Sequence, residues 1–244
     1  MLRRTNTQIK LVKNIILTDV TLLQQNNTVC IVDKFHKVIT NHRPEYMDLG
    51  KVIKAMDNWS FHNYANNYLE KRDIQTPKLY VTSPNEPEKY SHISFWTSLS
   101  SIYQNKTENL TIKETKQLLK TELNNTHKKL YVSCVSECPL TGPINIDYTL
   151  HELCRYYHQY TFDEITLCDS CGSLTYEDFK YLAWTMTVFG VPKSKIGFQL
   201  RMNKDSKQIV QYGYTNGFLR WDVVGDFEES KMGILTYKNI ENWL

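Results

Sequence analysis

The sequence is poor in glycine and lacks the glycine-rich patterns that bind phosphate groups. Only 9 of its 244 residues are glycine, and neither Gly-x-x-x-x-Gly-Lys-Ser/Thr nor Gly-x-Gly-x-x-Gly occurs. No uncharged apolar run approaches the roughly 20 residues of a transmembrane helix. The 29 basic and 26 acidic residues form no dense basic block, which argues against nucleic-acid binding. We therefore expect no cofactor, no transmembrane segment and no direct nucleic-acid partner.

No secretory signal precedes the six cysteines, so free thiols in a reducing compartment are expected. The first eighteen residues contain Arg3, Arg4, Lys10 and Lys13 and no acidic residue. Such a basic, hydroxylated start is typical of a mitochondrial targeting segment. It is equally typical of a basic arm, here at about residues 1–13, that leads into the first strand. Localisation is thus expected to be mitochondrial, or otherwise cytoplasmic.

Short apolar runs alternate with helical patterns along the chain, which predicts parallel strands joined by helices. The strand candidates are residues 14–17, 37–40, 78–82, 93–96, 129–135, 164–167, 196–200 and 219–224. The helix candidates are residues 111–124, 147–160, 175–189 and 206–216. Eight strands predict one (β/α)8 TIM-type barrel domain over residues 1–244. About twenty residues separate the first two strand candidates and follow the last. We therefore expect a barrel trimmed or distorted at its first helix and C-terminal end.

Two segments in the middle of the chain carry a resemblance to a known family. Residues 130–142 read LYVSCVSECPLTG and residues 164–172 read EITLCDSCG. They resemble the ends of the fifth and sixth strands of hydroxymethylglutaryl-CoA (HMG-CoA) lyases, TIM-barrel metallolyases of the DRE-TIM group. Weaker similarity extends from the loop after the second strand to the eighth strand. The resemblance implies the same barrel fold, with Asp169 at the position of the family's strand-six aspartate.

The resemblance also implies a chemistry whose residues are missing here. Family members cleave a carbon–carbon bond by a retro-aldol route, with a divalent cation polarising two substrate oxygens. Leu23 and Gln24 stand where the family has an arginine and a metal-binding aspartate, and Gln199 and Arg201 replace the two histidines of its His-x-His motif. No cysteine follows Cys171 to act as the catalytic thiol. We therefore expect no bound metal and no lyase activity, with Arg201 pairing with Asp169 in the metal's place.

Four cysteines suggest a different metal site. Cys134 and Cys138 follow one predicted strand, and Cys168 and Cys171 follow the next. Four thiolates from neighbouring loops could enclose a tetrahedral zinc ion. The alternative is that they are buried thiols or belong to the family motif.

The terminal segment, residues 239–244, ends in large apolar side chains. It is either a docking element or a short last helix that packs Trp243 on the barrel.

Three functions are compatible with these patterns. The first is a catalytically inactive lyase-like protein that serves as a structural or interaction subunit of a larger, mitochondrial assembly. The second is an active carbon–carbon lyase or acyl-CoA-binding protein with altered, metal-independent chemistry. The third is a zinc-bearing module. Fold alone does not decide among them.

Overall fold

The computed structural model describes residues 15–20, 22, 29–42, 44–49, 58–70, 78–82, 86–108, 111–120, 126–225 and 233–244. The basic arm at residues 1–13 lies outside them, as do Leu23 and Gln24. Among the described helices, none is both long enough and apolar enough to cross a membrane.

Eight parallel strands close into a barrel, which confirms the predicted (β/α)8 fold. Each strand pairs with the next along the chain, and β1 pairs with β8 to complete the ring. The strands are β1 (Ile16–Asp19), β2 (Tyr46–Asp48), β3 (Lys78–Thr82), β4 (His92–Ser98), β5 (His127–Ser133), β6 (Glu164–Cys168), β7 (Ile196–Gln199) and β8 (Arg220–Val223). A two-stranded antiparallel hairpin, Glu137–Cys138 with Gly142–Pro143, follows β5.

Seven of the eight strand candidates overlap barrel strands, and the candidate at residues 37–40 is wrong. That segment lies inside a helix, and the second strand is Tyr46–Asp48. The buried residues Phe35, Val38 and Ile39 recur at intervals of three and four, which is the period of a helix face and not of a strand. The true strand was missed because it has three residues and ends in a charged one.

Helices cover the outside of the barrel. They are α1 (Val29–Asn41), α2 (Asn58–Glu70), α3 (Ser101–Glu108), α4 (Ile112–Leu119), α5 (Ile146–Gln159), α6 (Tyr176–Val188), α7 (Ser206–Thr215) and α8 (Tyr237–Trp243). The helix after β1 has 13 residues, so the first helix is not shortened as expected. The short connection is instead the one between β3 and β4, whose described residues contain only a 3-10 turn, Pro87–Lys89.

The last described helix, α8, has seven residues and begins at a capping box formed by Thr236 and Asn239. Trp243 and Leu244 pack against the main hydrophobic core, and the Gln211 side chain donates a hydrogen bond to the Trp243 carbonyl (2.9 Å). The terminal segment is therefore a helix packed on the barrel, which was the second of the two alternatives.

Candidate functional site

The carboxyl ends of β6 and β7 bring three of the predicted site residues to the same end of the barrel. Gln199 is the register partner of Cys168 on β6 and of Asp222 on β8. The Asp169 amide donates to the Gln199 carbonyl at 2.9 Å, and Arg201 follows two residues later. In (β/α)8 proteins this end carries the functional loops, so it is the place to test the expected chemistry.

The Asp169 carboxylate is held by the loop that follows it. Its Oδ1 accepts hydrogen bonds from the amides of Gly172 (2.9 Å) and Ser173 (3.1 Å), and Oδ2 accepts one from the Leu174 amide (3.2 Å). The Ser136 hydroxyl also donates to Oδ1 (3.3 Å). Burial raises the pKa of Asp169, and these donors offset part of the rise by stabilising the charged form. Asp169 thus anchors the β6–α6 loop.

The expected ion pair between Arg201 and Asp169 is wrong. Four donors already satisfy the Asp169 carboxylate, and none of the described ion pairs involves Arg201. The Arg201 backbone instead forms an antiparallel bridge with Ile234. Its guanidinium Nη1 lies 3.8 Å from where a Cβ on Gly233 would stand. Backbone amides replace the cation that sequence reasoning assigned to this carboxylate.

The four cysteines proposed as zinc ligands do not converge. Cys168 is buried in the barrel wall, and its thiol donates to the Thr166 carbonyl of its own strand (3.7 Å). Cys171 is exposed, and its thiol donates to the Glu137 carbonyl (3.5 Å). In the described part of the chain, no group of three or more histidine, cysteine or acidic side chains could hold a metal ion. The alternative of separate, largely buried thiols describes them better.

One thiol at this end of the barrel is surrounded by hydrogen-bonding groups. Cys138 Sγ lies 3.1 Å from the Ser100 hydroxyl, and the Leu140 amide donates to the sulfur (3.4 Å). Burial acts to raise the pKa of Cys138, but hydrogen bonds from Ser100, Thr141 and Leu140 outweigh it and lower the pKa to about 7. Burial raises the pKa of Cys134 to about 11. Two thiols four residues apart therefore differ in acidity.

A charged network fills the barrel interior, and sequence reasoning missed it. Lys129 Nζ is fully buried and lies 2.8 Å from Glu164 Oε1 and 2.7 Å from Asp222 Oδ1. Arg220 Nη1 contacts the second oxygen of Glu164 at 2.8 Å. The two cations and two carboxylates make the network formally neutral. In sequence each of these side chains is followed by an apolar residue, as in a strand with one face in water. Here the polar face lines the inside of the barrel.

Two buried polar atoms near this network lack a hydrogen-bond partner. They are Asp222 Oδ2 and Gln199 Nε2, which belong to register partners on adjacent strands. Burial raises the pKa of Asp222 to about 7, with Lys129 acting in the opposite direction and Glu164 adding to the rise. The carboxyl end of the barrel interior therefore has a carboxyl oxygen and an amide nitrogen, both buried and without a partner, on adjacent strands.

The residues that the resemblance places at metal positions are poor ligands for a divalent cation. An arginine has only donors and stays charged, so Arg201 cannot be a ligand. Gln199 presents a neutral amide, whose oxygen alone could contact a cation, where the resemblance places an imidazole. The Asp169 carboxylate is occupied by backbone amides. The positions of Leu23 and Gln24 lie outside the described residues.

The closed eight-stranded barrel is similar in fold to several solved HMG-CoA lyases. The HMG-CoA lyase of Bacillus subtilis matches with a TM-score of 0.71 and 15% identity, over 93% of this chain and 84% of that one. An HMG-CoA lyase from Acinetobacter baumannii, in complex with coenzyme A and 3-methylmalate, matches with a TM-score of 0.72 and 13% identity, over 95% and 83%. The Pseudomonas aeruginosa enzyme matches with a TM-score of 0.69 and 15% identity, over 93% and 84%.

These similarities establish the fold and not the activity, because the sequence identities are low. No protein-family model matches the sequence, and no curated protein matches it either. Function has to be argued from the side chains.

Proposed function

We propose that this protein is a catalytically inactive HMG-CoA lyase-like barrel that serves as a structural or interaction subunit of a larger assembly, in mitochondria. The observation that carries the proposal is the replacement of the family's two strand-seven histidines by Gln199 and Arg201. An amide and a guanidinium at these places remove both imidazole ligands of the metal on which the family reaction depends. The basic, acid-free first eighteen residues support the mitochondrial location.

An exposed apolar surface supports the interaction role. On α6, Tyr181, Trp184 and Val188 follow one another at helical spacing and are exposed, Trp184 by 53% and Val188 by 68%. Phe189 extends the row, and the Tyr181 hydroxyl donates to Asp147 of α5 (2.7 Å). We call the row Tyr181, Trp184, Val188 and Phe189 the α6 surface. Contiguous exposed apolar side chains of this kind are typical of protein–protein contacts.

The first experiment tests inactivity. Magnesium and manganese titrations of the purified full chain, followed by calorimetry, should give no saturable heat. Incubation with HMG-CoA and either metal should release no acetoacetate or acetyl-CoA. Saturable metal binding or cleavage by the unmodified chain would overturn the proposal.

The second experiment tests the subunit role. Native extract is fractionated by size, and the protein should elute far above its own 28.8 kDa. Trp184→Glu and Val188→Glu should shift it towards the monomer position while the purified variants stay folded. Ile102→Glu is the matched control, because Ile102 is 57% exposed but lies on α3, away from the α6 surface. Monomeric elution of the unmodified protein would contradict the proposal.

A second candidate function rests on the barrel interior. An active, metal-independent lyase or acyl-CoA-binding protein would need an acid or base, and Asp222, with an unpaired oxygen and a pKa near neutrality, could provide one. Metal-free turnover of an acyl-CoA substrate, lost in Asp222→Asn but retained in Asp147→Asn, would favour this function. Absence of turnover across a panel of acyl-CoA thioesters would contradict this second function and favour the subunit role.

A further inference from the structure

We propose that a basic groove beside α4 binds an extended, acidic segment of a partner protein. The groove has a volume of about 370 Å³ and lies on the outside of the barrel, between α4 and the residue that follows α5. Its lining residues are Ile112, Lys113, Lys116, Gln117, Lys120 and Tyr160. We call it the α4 groove. The inference rests on the proposed interaction role and names the chemistry of one partner, on a surface other than the α6 surface.

Three lysines form a row along the α4 groove. Lys113, Lys116 and Lys120 are three and four residues apart, so their side chains lie on the same side of the helix. Lys113 and Lys120 are exposed, and none of the described ion pairs involves either of them. The lining of the groove contains no acidic residue. The positive charge of the row is therefore not balanced within the groove.

Lys116, in the middle of the row, shares a single carboxylate with another cation. Its Nζ lies 4.0 Å from Glu152 Oε2, and the Arg155 guanidinium contacts the same oxygen. Burial, followed by Arg155, lowers the pKa of Lys116, and Glu152 offsets only part of this effect. A further carboxylate from outside the chain would stabilise the charged lysine.

The length of the row fits an extended polypeptide with several acidic side chains. Seven residues separate Lys113 from Lys120, which is about 10.5 Å along a helix. A single carboxylate or phosphate group is too small to contact both ends. In an extended chain, alternate side chains on one face are about 6.6 Å apart, so two or three acidic residues cover the row. Ile112 and the Tyr160 ring add an apolar contact between the charges.

Other polyanions fit the α4 groove less well. Sites for single-stranded nucleic acids add exposed aromatic rings on which bases stack, whereas Tyr160, the aromatic residue of this lining, is only 8% exposed. Anionic membrane surfaces attract clusters of about 4–8 basic residues, and the groove presents three lysines. An acidic polypeptide is the polyanion that this lining favours.

Peptide binding to the purified full chain tests the proposal. The probe is a fluorescent peptide of about ten residues, with aspartate or glutamate at alternate positions and leucine or serine between them. Fluorescence anisotropy should show saturable binding that weakens as the salt concentration rises from about 50 to about 200 mM. A peptide with asparagine and glutamine at the acidic positions should not bind. Absence of saturable binding at low salt would overturn the proposal, as would tighter binding to an oligouridylate of equal length or to phosphatidylserine vesicles.

Variants at the two ends of the row locate the binding site. The double variant Lys113→Gln, Lys120→Gln should weaken peptide binding at least fivefold, because each exposed ion pair contributes up to about fivefold in affinity. Lys204→Gln, Lys207→Gln is the matched control: both lysines are exposed near the start of α7, and the net charge changes equally. The control should bind within about twofold of the unmodified protein. Equal weakening in the two double variants would contradict a local site.

Crosslinking of the unmodified chain keeps the test independent of folding in the variants. A carbodiimide joins carboxylates of the bound peptide to nearby lysine amines, and mass spectrometry should find the new amide bonds at Lys113, Lys116 or Lys120. Crosslinks found only at other lysines would overturn the proposal. Monomeric elution from native extract bears on the subunit role alone, whereas failure of the peptide and crosslinking experiments bears on the α4 groove alone.

Discussion

Lys129 Nζ lies 2.7 Å from Asp222 Oδ1 at the centre of the barrel, and both side chains are almost completely buried. Burial acts to lower the pKa of Lys129, but Asp222 and Glu164 outweigh it and raise the pKa, so the lysine is charged in the folded protein. A buried ion pair adds little net stability against apolar residues of similar size, yet removal of one partner is costly. The network is therefore a point where single substitutions should have large effects.

Replacing Lys129 by methionine should lower the free energy of unfolding by about 3–5 kcal/mol, because Asp222 is left without a counter-charge and Glu164 keeps only Arg220. Urea denaturation followed by circular dichroism measures the change. Adding Asp222→Asn to the lysine variant should recover part of the loss. Lys180→Met, which removes an exposed ion pair with Glu177, should leave the unfolding midpoint unchanged. An equal loss of unfolding free energy in the two lysine variants would contradict the prediction that the buried pair is the more sensitive one.

The contribution of His92 to stability should decrease as the pH falls from about 6.5 to about 4. Burial, followed by the neighbouring His127, lowers the pKa of His92 to about 4, and burial also lowers the pKa of His127. In this range the two histidines bind protons in the unfolded chain that they do not bind in the folded chain, so each pH unit downward reduces their contribution. The raised pKa of Asp222 acts in the opposite direction. Because His92 is only partly buried, screening limits its share to about 1–2 kcal/mol.

The pH experiment compares unfolding midpoints of the unmodified protein and His92→Gln from pH 7 to pH 4. The difference between the two proteins should shrink or change sign as the pH falls, since the variant has lost one of the titrating groups. His151→Gln, at an exposed position on α5, should follow the unmodified protein. A difference that stays constant over the whole range would refute the assignment to His92.

Substitutions at Asp169 and Arg201 should differ sharply in effect. Asp169→Asn exchanges an acceptor oxygen for an amide nitrogen facing donor groups of the β6–α6 loop, which should cost about 1–3 kcal/mol of unfolding free energy. Arg201→Met breaks no ion pair and should change stability by less than about 0.5 kcal/mol. Thermal and urea unfolding of the two variants distinguish these outcomes. A large loss of unfolding free energy in Arg201→Met would contradict this prediction and support the ion pair with Asp169 that the sequence suggested.

Gly213→Ala should destabilise the protein although alanine is the better helix former. A Cβ at this position in α7 would lie 2.6 Å from the Trp221 ring, and overpacking of this kind costs about 1–3 kcal/mol. The gain in helix propensity of about 1 kcal/mol offsets only part of it. In a Trp221→Phe background the penalty for Gly213→Ala should be smaller, because the ring atoms that it meets are absent. Urea midpoints of the four proteins test this coupling.

Sequence patterns predicted the barrel because most of its strands are short apolar runs with polar ends, as at Lys78–Thr82. Sequence patterns gave a wrong prediction where a short segment has the local pattern of a strand but is part of a longer helix. Residues 37–40 look like a strand when read alone, but they belong to a helical face that includes Phe35. The short connection was placed after β1, because the wrong second strand left too little room there.

The candidate site was predictable only in part. The family motif located Asp169, Gln199 and Arg201 at one end of the barrel, as observed. It could not show what the Asp169 carboxylate binds, since backbone amides carry no sequence signal. The Lys129 network was missed for a related reason: alternation of polar and apolar residues does not say whether the polar face meets water or other strands.

The absence of a side chain at Gly197 has an evolutionary consequence. A Cβ there would lie 2.6 Å from Glu164 Oε1, the oxygen that Lys129 contacts. The position of the buried Glu164 carboxylate therefore depends on the absence of a side chain at Gly197 on the neighbouring strand. Any larger residue at position 197 would push against Glu164, the partner of Lys129 and Arg220, so that the buried carboxylate would have to move. Substitutions at these four positions should accordingly be inherited together, so that closely related chains would keep all four or have replaced several at once.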